Sequence, residues 1–236
     1  MEKKETYVEN CGGIEMPAQS ANKITEIVFI LDASGSMYGL EKDTVGGVNS
    51  ILEEQKKMQN GDTVYVSTVI FSNDSRVVHD RVELAEIPLM NEKDFVVYGC
   101  TALCDAIGGA IHHIENIHKY ARKEDVPSKT MFVIMTDGME NASRRYNRSL
   151  VKQLIEDKQK IGWEFVFLAA NIDAAETASD FGIARERAVD WTADEEGVHV
   201  LYNCVNACVS NARGRKAYSR DVFADADANY KKKKKK

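Results

Sequence analysis

Short apolar runs rich in β-branched residues alternate along this chain with longer segments whose apolar residues recur at helical spacing. The predicted strands cover residues 23–31, 63–71, 129–135, 163–170 and 188–190, and the predicted helices cover residues 40–58, 101–120, 149–160, 174–180 and 195–212. Most of these strands are apolar throughout, which is typical of a parallel sheet buried on both faces. The alternation therefore predicts an α/β fold with helices on both faces of the sheet.

One further segment, "RVVHDRVELAEI", alternates loosely between apolar and polar residues and follows the turn "SNDS". This pattern predicts an exposed edge strand that leads into a loop. In a parallel α/β sheet, binding sites lie beyond the carboxyl ends of the strands. Three loops that leave a strand or enter a helix carry small oxygen-bearing side chains beside glycine, and they cover residues 32–39, 99–104 and 136–141.

The principal side chains in these loops offer only oxygen as a ligand. The first loop contributes Asp32, Ser34 and Ser36, the second contributes Thr101, and the third contributes Asp137. Mg²⁺ prefers such ligands in octahedral geometry at about 2.1 Å, whereas Zn²⁺ prefers cysteine or histidine. The set therefore predicts a site for a hard divalent cation, which is Mg²⁺ or alternatively Mn²⁺ or Ca²⁺.

Four of these five residues, taken alone, also have an ordinary structural explanation. Ser34 and Ser36 are typical turn and cap residues before a helix. Thr101 fits the N-cap of the helix that follows it, and Asp137 before a glycine fits a common turn. The metal site is favoured because all of them occur together and in order.

Composition limits the classes of function that this chain can have. It has 236 residues, 44% of them hydrophobic and 29% charged, which suits one sizeable domain with tails. Its formal net charge of −6 includes the lysine run at residues 231–236, so the rest of the chain is more acidic still. Because phosphate neutralisation needs clustered lysine and arginine, we expect no general nucleic-acid binding through the folded surface.

The sequence also bears on the expected compartment. No stretch approaches the roughly 18 apolar residues that a membrane span needs, and the N-terminus lacks the apolar core of a secretory signal. An odd number of cysteines, five, does not suggest a complete disulfide framework. We therefore expect reduced thiols and a cytoplasmic location.

Three segments of the chain together resemble a known family. These are "DASGSM" after an apolar strand, "GCTALCDAI" at the opening of a helix, and "VIMTDGMEN" at the end of a strand. They resemble the metal-ion-dependent adhesion site (MIDAS) of von Willebrand factor A (vWA) domains, whose pattern is D-x-S-x-S, then T, then D. The resemblance covers about residues 24–212 and is closest to intracellular bacterial members with an intact MIDAS.

This resemblance implies a fold and a ligand set. The fold is Rossmann-like, doubly wound and three-layered, with a mostly parallel six-stranded sheet, one antiparallel edge strand, and helices on both faces. The metal would lie at Asp32, Ser34, Ser36, Thr101 and Asp137. In the family, the two serines and the threonine are the usual direct ligands, and the two aspartates act through water or hold the hydroxyls.

The resemblance also implies a protein partner. In the family, an acidic residue of the partner commonly fills the sixth coordination position. Intracellular bacterial members often act beside ATPases, kinases, phosphatases or tellurite-resistance proteins. Met37, Tyr38 and Met139 are expected to form an apolar rim around the metal, and Glu140 either shapes selectivity or binds the ion itself.

The domain organisation follows from the same segments. Residues 1–22 form a polar N-terminal leader, residues 23–213 form the vWA domain, and residues 214–236 form a polar C-terminal tail with the lysine run.

Two other functions stay open at this point. The first is a hydrolase that uses the metal, or that uses Ser34 or Ser36 as a nucleophile. A serine hydrolase would need G-x-S-x-G at this turn, but Asp32 stands where the first glycine should be, and no histidine follows a late strand. The second is an assembly scaffold with a vestigial metal site. The expectation is a binding module and not an enzyme.

Overall fold

A computed structural model describes residues 23–58 and 60–234 of the chain, and one six-stranded sheet lies at its centre. The strands are β1 (Ile24–Asp32), β2 (Thr63–Phe71), β3 (Ser75–Glu83), β4 (Lys129–Thr136), β5 (Glu164–Ala169) and β6 (Ala188–Asp190). Their order is β3-β2-β1-β4-β5-β6, and all neighbouring pairs are parallel except the antiparallel pair β2 and β3. This confirms the predicted doubly wound, mostly parallel sheet with one antiparallel edge strand.

Helices cover both faces of the sheet, as the sequence predicts. Those in the described part of the chain are α1 (Glu41–Lys57), α2 (Leu103–Tyr120), α3 (Arg148–Lys160), α4 (Ala174–Asp180), α5 (Glu195–Arg213) and α6 (Ala224–Lys234). Apolar side chains of α1, α5 and α6 pack into one core, and those of α2, α3 and α4 pack into the other. Successive side chains of a strand point to opposite faces, so both cores draw on every central strand.

Strand β1 shows why an uninterrupted apolar run is needed at the centre of this sheet. Ile27, Phe29 and Leu31 belong to the core beneath α1 and α5. Val28 and Ile30 belong to the opposite core beneath α2. Both faces of the strand are therefore buried, and so is its carboxyl end at Asp32.

Both outer strands of the sheet carry features that disfavour pairing with another chain. Strand β3 is charged along its length, its register against β2 shifts near Thr68, and Arg81 has a left-handed backbone with φ of 50°. Strand β6 has only three residues, and α6 packs against it. Charge, bulges and short covered strands are common protections for sheet edges.

The prediction of a polar C-terminal tail is wrong for residues 220–234. A 3₁₀ helix, Arg220–Phe223, leads into α6, and both Phe223 and Ala226 are buried in the core beneath α5. At the far end of α6, the Lys233 ammonium pairs with Asp194 and Glu196 at the start of α5. Few residues of this segment are buried, so its sequence shows no helical periodicity of apolar residues. The contact of Phe223 and the ion pairs of Lys233 therefore could not be predicted from the sequence.

Two other expectations concern the N-terminal leader and the membrane. The leader at residues 1–22 lies outside the described residues, as do the last two lysines of the chain. Within residues 23–58 and 60–234, no helix combines the length and the apolar character that crossing a membrane requires.

The burial of Phe223 gives a direct test of the C-terminal helix. Phe223→Ala is expected to lower the free energy of unfolding by about 3–4 kcal/mol, because it removes a fully buried aromatic side chain and leaves a cavity. Urea denaturation followed by circular dichroism measures this change. Tyr120→Ala is the matched control, since Tyr120 is 80% exposed. Equal stability of the two variants would contradict the packing of this segment.

Candidate metal centre

The carboxylate of Asp32 connects two strands at the carboxyl edge of the sheet. Asp32 ends β1 and is fully buried. Its Oδ1 accepts a hydrogen bond from the backbone N–H of Ser34 at 2.8 Å, and its Oδ2 accepts one from the Thr136 hydroxyl, at the end of β4, at 2.6 Å. Asp32 therefore fixes the turn that carries the serines and ties it to the neighbouring strand.

The two serine hydroxyls of this turn point toward the loop after β4. The Oγ atoms of Ser34 and Ser36 lie 3.2 Å apart, and the Ser36 hydroxyl donates a hydrogen bond to Asp137 Oδ1 at 2.6 Å. Ser34 precedes a short 3₁₀ helix, Gly35–Met37, but its side chain makes no cap hydrogen bond there. The simple capping explanation for Ser34 is therefore wrong.

Asp137 has one carboxylate oxygen without a partner. Its Oδ2 is buried and makes no hydrogen bond within the described part of the chain. Burial raises the pKa of Asp137, the hydrogen bond from Ser36 opposes this, and the nearby charge of Asp32 adds to it. Leaving a buried acceptor unsatisfied costs about 1–3 kcal/mol, and more for a charged group, so this oxygen calls for an electropositive partner.

Thr101 reaches the same place from the third predicted loop. Helix α2 begins two residues later than predicted, at Leu103, and its N-cap is Ala102, so Thr101 is not a cap. The Thr101 N–H donates to Asn141 Oδ1 at 2.9 Å, and the Asn141 N–H donates to the Thr101 carbonyl at 3.0 Å. A Cβ atom placed on Gly138 would lie 3.4 Å from Thr101 Oγ1 and 3.8 Å from Ser36 Oγ. Both hydroxyls therefore border the backbone at Gly138.

The first two loops are joined by backbone hydrogen bonds that sequence reasoning did not find. The Gly35 N–H donates to the Gly99 carbonyl at 3.1 Å, and the Tyr98 N–H donates to the Ala33 carbonyl at 2.9 Å. Gly99 has φ of 70°, and a Cβ atom there would overlap the Asn73 side chain. A glycine is thus required at this crossing of the loops.

These residues fit a hard divalent cation. The carboxylates of Asp32 and Asp137 and the hydroxyls of Ser34, Ser36 and Thr101 form an oxygen-only set, which suits Mg²⁺, Mn²⁺ or Ca²⁺. Burial raises the pKa of Asp32 as well, although hydrogen bonds from Thr136 and Ser34 oppose the shift. A cation would offset the cost of keeping two buried carboxylates close together. Without a cation, Asp137 Oδ2 would have no electropositive partner among the described residues.

Two of the three residues predicted to form an apolar rim are exposed. Tyr38 is 83% exposed and Met139 is 65% exposed, and both belong to loops that carry the site. Met37 is fully buried in the core beneath α1, so its assignment to the rim is wrong. Tyr98 is also exposed and is tied to Ala33, which makes it a rim residue that the sequence reasoning missed.

Glu140 has a structural role that the sequence analysis did not predict. Its carboxylate accepts hydrogen bonds from the backbone N–H of Cys104 at 2.6 Å, of Ser143 at 2.8 Å and of Ala142 at 3.0 Å, and from the Ser143 hydroxyl at 2.7 Å. It therefore caps the first turn of α2 and holds the loop after β4. A carboxylate with four donors is not free to bind the ion.

The fold has well-defined relatives among solved structures, although no family model and no curated protein matches the sequence. The von Willebrand factor domain of the type V pilus tip protein Mfa5 from Porphyromonas gingivalis is 9% identical, with a TM-score of 0.59, and the match covers 83% of this chain and 98% of that one. A von Willebrand factor type A protein from Catenulispora acidiphila is 13% identical, with a TM-score of 0.53 and coverage of 79% and 42%. The fold is therefore that of a vWA domain.

A third similar structure contains a metal. It is proximal thread matrix protein 1 from the mussel byssus with a zinc-occupied MIDAS motif, which is 14% identical with a TM-score of 0.54. The match covers 77% of this chain and 44% of that one. This chain thus spans less than half of the mussel and Catenulispora chains, and at these identities the likeness concerns the fold alone.

The role of Glu140 predicts a specific effect on stability. Glu140→Gln is expected to lower the free energy of unfolding by about 1–2 kcal/mol, because the amide group replaces one acceptor oxygen with a donor that faces backbone N–H groups. Urea denaturation measures the change. Metal affinity, measured by calorimetry, should stay the same, and a large loss of affinity would contradict the capping role.

The difference in unfolding free energy between wild type and Glu140→Gln is expected to change with pH in a defined direction. Burial alone would raise the pKa of Glu140, but the N–H donors of Cys104 and Ser143 hold it below its usual value. A carboxylate with a lowered folded-state pKa stabilises the protein above its unfolded-state pKa and loses this contribution as pH falls. The stability gap between wild type and Glu140→Gln should be constant above about pH 5 and narrow below about pH 4.

Proposed function

We propose that this chain is a metal-dependent protein-binding module that docks an acidic residue of a partner protein onto a divalent cation. The unpaired, buried Oδ2 of Asp137, beside the hydroxyls of Ser34, Ser36 and Thr101, is the observation that supports it most strongly. The cation would supply positive charge that the site only partly neutralises, and a carboxylate from outside would complete its coordination.

The residues of the site would divide this work. Ser34, Ser36 and Thr101 would bind the metal directly, while Asp32 and Asp137 would act through water or orient the hydroxyls. Asp32 also positions the turn that carries the serines, since it accepts hydrogen bonds from the Ser34 backbone N–H and the Thr136 hydroxyl. Neutral hydroxyl ligands leave more of the ionic charge available than carboxylates would. We propose Mg²⁺ first, and the zinc-occupied mussel structure makes Zn²⁺ a necessary comparison.

Docking is a better proposal than hydrolysis for these serines. In serine hydrolases, a histidine within hydrogen-bond reach usually activates the nucleophilic serine. The Ser34 and Ser36 hydroxyls contact each other, and Ser36 donates to Asp137. All five histidines have partners elsewhere: His79 with Thr68, His112 with Tyr146, His113 with Asp80, His118 with Glu26 and His199 with Asn203. We therefore propose a binding protein and not an enzyme.

The exposed side chains around the site suit a protein partner. Tyr38, Tyr98 and Met139 present apolar surface on loops that surround the proposed metal position. Aromatic and methionine side chains are enriched at protein interfaces. An ATPase, a kinase or phosphatase, or a tellurite-resistance protein as partner stays a prediction that rests on the family resemblance. The cytoplasmic location stays a prediction that rests on the sequence composition.

Metal binding gives the primary test. Mg²⁺ at about 100 times its dissociation constant is expected to raise the free energy of unfolding by about 2.7 kcal/mol, because it binds the folded state. Ser36→Ala combined with Thr101→Ala should abolish this increase, since two of the proposed direct ligands are lost. Thermal unfolding with and without Mg²⁺, Mn²⁺, Ca²⁺ and Zn²⁺ measures the effect.

The control for this experiment is Ser50→Ala, which removes an exposed hydroxyl from helix α1. It should respond to metal as the wild type does. If no cation stabilises the wild type, or if the double variant responds equally, the site is not a metal centre and the scaffold alternative is favoured.

A further inference from the structure

A polar groove lies beside the proposed metal position and belongs to none of its ligands. It has a volume of about 940 Å³ and is lined by the turn after β2, including Asn73 and Asp74, and by the loop after β4, including Arg144 and Arg145. Cys100, which directly precedes Thr101, also lines it. The groove therefore begins next to a proposed ligand of the cation.

The loop that carries the two arginines is fixed by a buried carboxylate. Asp105, in the first turn of α2, accepts hydrogen bonds from the backbone N–H groups of Arg144 at 3.0 Å, Arg145 at 2.9 Å and Tyr146 at 2.8 Å. Burial would raise the pKa of Asp105, but these three donors hold it below its usual value. The main chain beneath both arginines is thus held in one arrangement.

The arginine side chains themselves are largely uncommitted. Both residues are exposed, and the side chain of Arg145 keeps 69% of its accessible surface. Its Nε lies 3.9 Å from Asp105 Oδ2, which is beyond normal hydrogen-bond length, and that carboxylate already accepts three backbone donors. Guanidinium groups in this state are suited to bind carboxylates by paired hydrogen bonds.

We propose that the groove binds a second acidic residue of the same partner segment, so that the partner is recognised by two carboxylates, one on the cation and one at Arg144 and Arg145. This inference rests on the proposed docking function. Two carboxylates also line the groove, those of Asp74 and Asp105. Asp105 already accepts three backbone N–H groups, so Asp74 is the acid that would repel an acidic ligand and favour its binding at the arginines. Recognition at two points also orients the segment, because a single carboxylate on a metal could approach from any direction.

The experiment uses peptides of defined charge with the full chain in Mg²⁺. One peptide of glycine and serine carries a single glutamate, and four others carry a second glutamate after one, two, three or four intervening residues. Binding is measured from amide chemical shifts in NMR titrations. At least one two-glutamate peptide is expected to bind about fivefold more tightly than the single-glutamate peptide, with an increment that shrinks at high salt.

Variants of the lining residues test whether the gain in affinity from the second glutamate comes from the groove. Arg144→Gln with Arg145→Gln should remove the gain from the second glutamate and leave single-glutamate binding unchanged. Asp74→Asn should strengthen binding of the two-glutamate peptide, because it removes a like charge. Arg122→Gln with Arg185→Gln is the charge-matched control, since both residues lie before the amino ends of strands and away from the site.

The outcomes separate this inference from the proposed function. If the single-glutamate peptide binds only with Mg²⁺ but the second glutamate adds nothing, or its gain survives the loss of both arginines, this inference is overturned and the docking function stands. If neither peptide binds the metal-loaded protein, the docking function fails, and this inference fails with it.

Discussion

The rest of the site depends on the hydrogen bonds that the buried carboxylate of Asp32 accepts. It lies at the end of the central strand, where one oxygen orders the serine turn and the other accepts the Thr136 hydroxyl from the next strand. Because both oxygens are engaged with the protein, the residue acts as a brace between β1 and β4. The neighbouring Asp137 differs, since among residues 23–58 and 60–234 only the Oδ1 of its carboxylate has a hydrogen-bond partner. The site therefore combines a satisfied acid with an unsatisfied one.

Two further acids extend the same principle to the surrounding loops. Glu140 and Asp105 each accept several backbone N–H groups, and between them they hold residues 142–146 against the start of α2. Such bonds to charged acceptors are each worth about 1.5–3 kcal/mol when well formed. The loops are long and exposed, yet their backbone positions are defined by buried or half-buried carboxylates. A surface for binding can thus be held in place without being part of the hydrophobic core.

Much of this arrangement could be predicted from the sequence. Strands that are buried on both faces appear in the sequence as continuous apolar runs. The predicted bounds of β1, β2 and β4 therefore lie within one residue of the observed ones. The loops of the site followed from topology, because parallel strands bring their carboxyl ends to one edge. Side-chain direction within a loop was beyond sequence reasoning: Met37 and Tyr38 are adjacent, yet one is fully buried and the other is exposed. The C-terminal helix was missed because a single aromatic residue, Phe223, anchors it.

The course of α6 has a practical consequence for handling this protein. Lys233 pairs with Asp194, which follows the carboxyl end of β6, so the end of α6 lies at the same edge of the sheet as the proposed metal position. Residue 24, which starts β1, lies at the opposite edge. Attaching the protein to a sensor chip through the end of α6 would therefore bring the recognition loops against the support. Attachment through a residue at the opposite side of the sheet, where β1 begins, would direct those loops toward the solution.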